Sequence, residues 1–286
     1  MVGDDGRVRR LATLLAVALL AGACSTTPAA DPAGTSTAAN SSTPANPTRP
    51  SAAAPSRPAS TPAARSASTP PASATSTPPP PTPIPPISRR ARQAGLVDVR
   101  TAVPDAVIDL RYATAHNFTH VRLYPTRARC LVHRSMVRGL KIAAARLRAR
   151  GLVLVFWDCY RPHAVQVRMF EIVPNPNWVA RPGPYATSHE AGRSVDVTLA
   201  RAKAGGTCAH RARRHCLLPM GTGFDDFTPR AWAYATQGLS TRAVHDRAVL
   251  RRAMARGAIT IYAGEWWHFD GPGSKVSRPH LHAPVY

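Results

Sequence analysis

The chain has 286 residues and a formal net charge of +22, with 37 basic against 15 acidic residues. Because the arginines are scattered and no nucleic-acid motif is present, this charge does not indicate a nucleic-acid-binding protein. Residues 25–88 are almost entirely Pro, Ala, Ser and Thr, with too few large apolar side chains to offset the entropy of ordering. We therefore expect an extended, disordered tether at 25–88 and one folded domain at 89–286.

The N-terminus is typical of an export signal. Arginines precede an apolar run over 11–20 that is shorter than an ordinary membrane-spanning helix. Small residues then lead to Cys24, a pattern that resembles the lipobox of bacterial lipoproteins. We expect residues 1–24 to be a signal ending at a lipidated Cys24, which anchors the domain to the outer face of the bacterial cell membrane. The alternative is a simple cleavage site and a secreted protein.

Hydrophobic periodicity predicts short helices and strands in the domain and an α+β fold. A helix N-capped by Ser135 is predicted to stop at Gly151. Its apolar face consists of Met136, Leu140, Ala143, Ala144 and Leu147. In chain order the predicted elements are a strand at 107–111, the helix just described, a buried strand at 152–157, a helix at 163–173, a strand at 194–199, a helix opened by Thr228 and Pro229, a helix at 242–256 and a last strand at 258–263.

The domain contains four cysteines, Cys130, Cys159, Cys208 and Cys216. An even number in an exported domain suggests two disulfides, with three possible pairings. Pairing Cys208 with Cys216 would close a short loop, and Cys130 would then join Cys159 and link two core segments. None of the four has the close pair spacing of a cysteine zinc site, so such a site is not expected.

Polar residues interrupt apolar strands in three segments, at 157–162, 188–196 and 264–269. His189, Asp196 and His268 lie in the last two segments and supply two imidazoles and one carboxylate, the ligand set of a catalytic zinc ion with one open position. In the predicted strand, period-two alternation turns Asp196 toward a cleft while its neighbours face the core. We expect one zinc ion per chain at these residues.

Glu265 and Arg161 would complete a hydrolytic site. Glu265 lies three positions before His268, so both can reach one metal only if the chain turns or bulges between them. Glu265 is then placed as the general base that takes a proton from activated water and passes it to the leaving amine. Arg161 ends a buried strand and precedes Pro162, and it is the candidate partner for the oxyanion.

Single polar residues of this kind usually have structural roles. An isolated buried histidine is more often part of a core than a ligand, and an aspartate in a strand often only caps a turn. The joint occurrence of both imidazoles, the aspartate and the glutamate is what favours a metal site. No function is assigned to the other histidines, among them His116, His120, His133, His163, His210, His215, His280 and His282.

The combination resembles the zinc D-Ala-D-Ala peptidases, which also include carboxypeptidases and wall hydrolases. The match begins with Ser188, His189 and Asp196 and with the pair of Glu265 and His268. The dipeptidase branch, the VanX-like enzymes, is indicated by further motifs at 109–114 (DLRYAT) with Asn117 and Phe118, at 157–162 (WDCYRP) and at 220–227 (MGTGFDDF). The similarity spans most of 97–269.

The resemblance implies a central, mostly antiparallel sheet flanked by helices, with the zinc site in a cleft on the sheet. It makes His189, Asp196 and His268 the zinc ligands, Glu265 the catalytic base and Arg161 the transition-state stabiliser. It also implies a small closed pocket that admits a free dipeptide and excludes longer chains. The expected function is hydrolysis of D-alanyl-D-alanine in bacterial cell-wall metabolism.

The resemblance further suggests which residues hold the substrate's termini: Ser188, Tyr112, Asp225 and Asp226. A carboxylate beside the free amino group is physically reasonable, because a buried ammonium needs a charged partner. Cys159 stands where the family pattern leads us to expect a small residue other than cysteine, which suggests a disulfide added in an exported form.

Two other functions remain open at this point. The same zinc chemistry would serve a D,D-carboxypeptidase or a peptidoglycan endopeptidase acting on stem peptides. A non-catalytic cell-wall-binding module with a decayed site is the second alternative. The presence of all three ligands and of the base argues against decay.

Overall fold

The computed structural model of the protein describes residues 86–286. The predicted signal with Cys24 and the predicted tether up to residue 85 lie outside the described residues. The first described helix, α1 (Arg89–Gln93), begins after Ser88, whose hydroxyl accepts a hydrogen bond from the backbone N–H of Ala91 at 3.0 Å. Between residues 86 and 286, every helix is too short or too polar to cross a bilayer.

Four α-helices and nine short strands occur along the described residues. The further helices are α2 (Val137–Arg148), α3 (His163–Ile172) and α4 (Thr241–Arg256). The strands are β1 (Leu96–Asp98), β2 (Val107–Ile108), β3 (Leu131–His133), β4 (Leu152–Asp158), β5 (Ser194–Arg201), β6 (Arg211–Ala212), β7 (His215–Cys216), β8 (Thr260–Ile261) and β9 (His268–Asp270).

A five-stranded sheet in the order β2-β4-β5-β9-β8 forms the centre of the domain. Strand β2 runs parallel to β4, whereas the other neighbouring strands pair antiparallel. Strands β1 and β3 form a separate antiparallel ladder, and so do β6 and β7. The predicted α+β class, with a central and mostly antiparallel sheet, is confirmed.

The hydrophobic core includes β5 and the inner face of α2. All five apolar residues predicted for that face, from Met136 to Leu147, are buried. Helix α2 packs against β4 and α4. The close approach of α2 to the end of α4 requires glycine, because a Cβ on Gly139 would lie 2.3 Å from the Gly257 carbonyl oxygen. Val195, Val197 and Leu199 of β5 belong to the same core, so the alternating polar residues of β5 are turned to the other face.

Several predicted bounds differ from the structure. The strand predicted at 107–111 is limited to β2, because Arg111–Ala113 folds into a 3-10 turn. Ser135 is not the cap of α2 but lies inside a 3-10 turn that leads into it. The last predicted strand, at 258–263, is shortened to β8, and β9 was not predicted as a strand.

The helix predicted to open at Thr228 is wrong. Only one 3-10 turn forms there, Pro229–Ala231. The carbonyl oxygen of Ala231 accepts a hydrogen bond from the Trp266 backbone N–H at 2.9 Å. Because this backbone group bonds to the segment before β9, it is not available to continue a helix.

Two disulfides connect the domain cysteines. Cys130 pairs with Cys159 and Cys208 pairs with Cys216, with Cα separations of 5.2 and 5.8 Å that lie within the normal range. The sequence left three pairings open, and the structure has the one in which Cys208 and Cys216 close a short loop. The longer bridge joins the residue before β3 to the residue after β4.

Candidate active site

Three separate segments bring His189, Asp196 and His268 together at the pairing of β5 with β9. His189 lies in a 3-10 turn, Ser188–Ala191, that ends shortly before β5. Asp196 of β5 is the register partner of His268 of β9, so the two side chains lie side by side. Gly192 ends the turn at a φ of 65°, and a Cβ there would collide with a core leucine 2.6 Å away. The turn that presents His189 therefore requires glycine.

The three side chains point their polar atoms at one position. His189 Nε2 lies 3.1 Å from His268 Nδ1. Asp196 Oδ1 lies 3.3 Å from His189 Nε2 and 3.1 Å from His268 Nδ1. Ligands at about 2.0–2.2 Å from a tetrahedral zinc ion are about 3.3–3.6 Å apart. The triangle is therefore close in size to one face of a zinc coordination tetrahedron.

Hydrogen bonds hold both imidazoles in the orientation that a metal ligand needs. His189 donates from Nδ1 to the Cys159 carbonyl oxygen at 2.8 Å, which leaves the lone pair of a neutral ring on Nε2. His268 Nε2 lies 3.2 Å from Asp270 Oδ1, so a His268 ring that has lost its extra proton to a metal has its lone pair on Nδ1. Both lone pairs then face Asp196. A bound cation removes the repulsion among three buried lone-pair donors, so the residues fit a divalent metal ion.

Negative charge surrounds the same position. Burial alone lowers the pKa of His268, but the hydrogen bonds that its ring nitrogens donate to Asp196 and Asp270 raise the pKa to about 10 in the metal-free protein. Burial raises the pKa of Asp196, but His189 and His268 together lower it by a larger amount. The carboxyl group therefore has a pKa below its usual range. The surroundings therefore stabilise a positive charge where the three ligand atoms meet.

Glu265 lies beside this position and outside the triangle. The chain turns before β9, with the Glu265 N–H donating to the Tyr262 carbonyl oxygen at 3.4 Å. This turn lets Glu265 and His268 reach the same position, and Glu265 Oε2 lies 3.9 Å from His268 Nδ1. Burial raises the pKa of Glu265, although the neighbouring His268 partly offsets the effect. A carboxylate with a raised pKa next to a metal position suits a general base.

Arg161 lines the same cavity and is rigidly held. Its Nη2 donates to Asp158 Oδ2 at 2.7 Å, and its Nη1 donates to Gln166 Oε1 at 2.7 Å. The guanidinium also lies over the Tyr112 ring, 5.3 Å from the ring centroid. Asp158 is fully buried and also accepts a hydrogen bond from Tyr124 at 2.6 Å. The cation is thus fixed in place before any ligand enters.

Asp158, Gln166 and Asp270 had no predicted role, yet they orient the predicted residues. Asp158 holds Arg161, and Asp270 holds His268. A signal for Asp158 is present in the sequence, because a carboxylate three residues before an arginine at a strand end can pair with it. Asp270 follows His268 by two residues on a strand, where both side chains share one face.

The four predicted substrate contacts are not all brought together. The Tyr112 hydroxyl lies 3.2 Å from both carboxylate oxygens of Asp225, and both residues line the cavity. Burial, with Asp196 and Glu265 nearby, raises the pKa of Asp225 well above its usual value.

Ser188 also lines the cavity, and its hydroxyl donates to Ser194 at 2.9 Å. Ser194 in turn donates to Asp270, so Ser188 belongs to the hydrogen-bond chain behind His268. Asp226 does not line the cavity with the other three. Its carboxylate instead accepts hydrogen bonds from the backbone N–H and hydroxyl of Thr228, at 3.0 and 2.6 Å.

The site opens into a cavity of about 400 Å³. Trp178 stacks on Phe227 at the cavity wall, with ring centroids 5.2 Å apart. A cavity of this size, with aromatic walls and a few convergent polar groups, suits a small molecule. Lining residues that the sequence did not suggest include Gln166, Met169, Asn177, Trp178, Phe227, Tyr262 and Lys275.

The sequence is similar to known peptidases over most of this domain. Residues 92–286 match the peptidase M15 family described as D-ala-D-ala dipeptidase. The chain is 32% identical over 177 residues to D-alanyl-D-alanine dipeptidase of Escherichia coli strain K12, covering 62% of this chain and 84% of that protein. It is 26% identical over 186 residues to D-alanyl-D-alanine dipeptidase of Enterococcus faecalis strain ATCC 700802 / V583, covering 56% and 83%. The chain belongs to the peptidase M15 family of D-ala-D-ala dipeptidases.

Proposed function

We propose that this protein is an exported, zinc-dependent dipeptidase that hydrolyses free D-alanyl-D-alanine in bacterial cell-wall metabolism. The observation that carries the proposal is the convergence of His189, Asp196 and His268 on one position, with Glu265 beside it. The two relatives, both D-alanyl-D-alanine dipeptidases by name, support the substrate.

The donor set favours zinc among the common divalent metals. Two imidazole nitrogens and one carboxylate oxygen, in a triangle of tetrahedral size, match a catalytic zinc site with an open position. Calcium and magnesium prefer all-oxygen sites with more ligands. A zinc ion held by His189, Asp196 and His268 supplies Lewis-acid activation of water and of the scissile carbonyl.

Glu265 then moves the protons of the reaction. Its carboxylate takes a proton from the attacking water at Oε2 and delivers it to the nitrogen of the leaving D-alanine. The raised pKa of Glu265 makes the protonated form accessible for the second transfer. The residues that follow it, Trp266 and Trp267, are buried in the core, which fixes the backbone from which Glu265 projects.

Arg161 pairs with the oxyanion that develops on the carbonyl oxygen. The side chain is only 11% exposed, so its charge acts in a medium that screens it weakly. Asp158 and Gln166 hold the guanidinium in advance, so little reorganisation is needed when charge develops.

Asp225 and Tyr112 form the proposed binding site for the free amino group of the dipeptide. Burial makes an isolated Asp225 carboxylate costly, as its raised pKa indicates. A substrate ammonium would supply the missing counter-charge, which gives a physical reason for preferring peptides with a free N-terminus.

A substrate panel tests the proposal. We expect the zinc-loaded protein to cleave D-Ala-D-Ala and to leave L-Ala-L-Ala and N-acetyl-D-Ala-D-Ala intact. Preferred cleavage of a stem pentapeptide or a cross-linked muropeptide would contradict the dipeptidase proposal and favour a carboxypeptidase or an endopeptidase. Absence of all hydrolysis by metal-loaded protein would favour a non-catalytic wall-binding module.

The proposed membrane contact rests on the sequence around Cys24. We expect bacteria fed a labelled fatty acid to incorporate the label into the wild-type protein, and the protein to sediment with membranes. Cys24→Ala should abolish both. An unlabelled, freely secreted wild-type protein would contradict the lipid anchor and leave only the export signal.

A further inference from the structure

We propose that His163, Glu190 and His280 form a second binding site for a divalent metal ion of the zinc class, separate from the catalytic triangle. One ligand atom from each residue lies within 4.8 Å of the others. The three residues come from the start of α3, the turn before β5 and the C-terminal segment. None of them belongs to the proposed catalytic set.

The Glu190 carboxylate contacts both imidazoles. Glu190 Oε1 lies 2.6 Å from His163 Nδ1 and 3.6 Å from His280 Nδ1. The two rings stack face to face, with centroids 3.7 Å apart. The side chains of Glu190 and His280 are only 13% and 11% exposed. The group is therefore a built cluster, not an accidental meeting of surface side chains.

His280 carries the decisive feature of this cluster. Its Nε2 lies 3.0 Å from the Gly183 carbonyl oxygen, which can only accept a hydrogen bond. The ring proton therefore belongs on Nε2, and a neutral ring has its lone pair on Nδ1. This Nδ1 is buried and has no hydrogen-bond partner among the described residues. It faces Glu190, so two electron-pair donors are opposed without a proton between them.

The same arrangement occurs at the catalytic site. There, His189 donates one ring proton to a backbone carbonyl and directs its other nitrogen at a carboxylate. A backbone acceptor of this kind is the usual support of a metal-bound histidine, because it fixes the tautomer and the ring orientation. At the second cluster, His280 is supported in the same way by Gly183.

The chemistry of the donors selects the ion. Two imidazole nitrogens and one carboxylate oxygen suit zinc and neighbouring transition metals, not calcium or magnesium. The ion would replace the proton that His163 shares with Glu190. Because stacked rings direct their lone pairs along nearly parallel planes, the partly exposed His163 ring would turn away from His280 as the carboxylate moves, so that all three atoms reach ligand distances near 2.0–2.2 Å. His163 is 29% exposed, which leaves a path for the ion and a position for water.

The second ion would fasten the C-terminal segment to the active-site turn. Glu190 directly follows the ligand His189 in the same 3-10 turn. His280 lies just after Arg278, which forms an isolated bridge with Ala186. An ion coordinated by both Glu190 and His280 would add a second link between these segments, so the ion is expected to raise the melting temperature.

The test is the number of zinc ions bound per chain after equilibration with buffered free zinc. We expect two ions in the wild-type protein, one in His280→Ala and one in His268→Ala. The matched control is His210→Ala, which removes an exposed histidine and should retain two ions. Glu190→Gln keeps the shape of the side chain and should also retain only one ion.

The outcomes separate this proposal from the proposed function. One ion in the wild-type protein that is lost in His268→Ala and kept in His280→Ala would overturn the second site. One ion lost in His280→Ala and kept in His268→Ala would support the second site and contradict the catalytic one. If His280→Ala does not fold, Glu190→Gln decides: two ions in that variant would overturn the proposal.

Discussion

At the scale of single residues, the hydrogen bonds of the two histidines define the candidate site. His189 and His268 each direct one ring nitrogen to an oxygen behind the site and the other to the shared position beside Asp196. Because that position collects three electron-pair donors and is surrounded by carboxylates, a cation there has an electrostatic reason to bind. Glu265 lies outside the triangle and is free to exchange protons with water.

Replacing Glu265 tests its role as the base. Glu265→Gln keeps the volume and removes the proton acceptor, so we expect kcat for D-Ala-D-Ala to fall by about 10²–10⁴-fold. Zinc content should not change, because His189, Asp196 and His268 are untouched. The control is Glu171→Gln, at an exposed position of α3. Unchanged kcat in Glu265→Gln would remove this residue from the mechanism.

Replacing Arg161 tests the oxyanion partner. A lysine cannot reach Asp158 and Gln166 at the same time, so Arg161→Lys should misplace the charge even though it keeps the sign. We expect kcat/KM to fall by about 10²–10³-fold with zinc content unchanged. Arg168→Lys, on the exposed side of α3, is the control. A similar small effect of both variants would contradict the assignment.

The sequence could predict that His189, Asp196 and His268 come together, because each stands out chemically from its neighbours. Asp196 interrupts an alternating apolar strand, and a histidine lies in each of two other polar segments. His163 and His280 could not be predicted in the same way. These two histidines form a possible metal site only together with Glu190. No local sequence pattern indicates that the C-terminal segment returns to the start of α3.

At the scale of secondary-structure elements, the end of β4 organises the site. Asp158 is its last residue and holds Arg161, while the next residue, Cys159, accepts the hydrogen bond of His189. The disulfide to Cys130 ties this segment to β3. One strand end thus positions the proposed oxyanion partner, Arg161, and the proposed metal ligand, His189, together.

Removing the Cys130–Cys159 disulfide should therefore affect both stability and activity. The bridge spans 29 residues, and the chain-entropy relation predicts a loss of about 3–4 kcal/mol in the free energy of unfolding for a Cys130→Ser/Cys159→Ser variant. We also expect lower kcat/KM, because the carbonyl that orients His189 loses its tether. Chemical denaturation and dipeptide hydrolysis measure the two effects.

The second disulfide provides the matched comparison. Cys208–Cys216 spans 8 residues, so the same relation predicts a smaller loss of about 2–3 kcal/mol for Cys208→Ser/Cys216→Ser. Neither cysteine lines the cavity, and activity at low temperature should be unchanged. Equal effects of the two double variants on kcat/KM would contradict a positioning role for Cys159.

Elements governed by local periodicity could be predicted, and those governed by distant contacts could not. The apolar face of α2 follows from its own spacing, and every predicted residue is buried. The segment after Thr228 begins as a helix would, but its backbone bonds to Trp266 instead. Likewise, β9 is too short to show a pattern and exists because it pairs with β5 and β8.

At the scale of the whole molecule, the burial of His133 among arginines makes stability depend on pH. Burial, and then the nearby charges of Arg193, Arg134 and Arg278, lower the pKa of His133 to about 4. Between pH 6.5 and 4 the unfolded chain binds a proton that the folded protein excludes, so the free energy of unfolding should decrease as the pH falls through this range.

A single substitution isolates this contribution. In His133→Gln the neutral side chain can still accept a hydrogen bond from Arg193, which lies 3.2 Å from the imidazole in the wild type. As the pH falls from 6.5 to 4, we expect the free energy of unfolding to decrease more in the wild type than in the variant. A difference that stays constant over this range would show that His133 does not titrate there.

Anomalous diffraction at the zinc edge can show whether His189, Asp196 and His268 bind one zinc ion. Crystals of the zinc-loaded protein should give an anomalous peak about 2.0–2.2 Å from His189 Nε2, Asp196 Oδ1 and His268 Nδ1. An empty position between these three atoms, in crystals that contain zinc elsewhere, would show that the three residues do not form a zinc site.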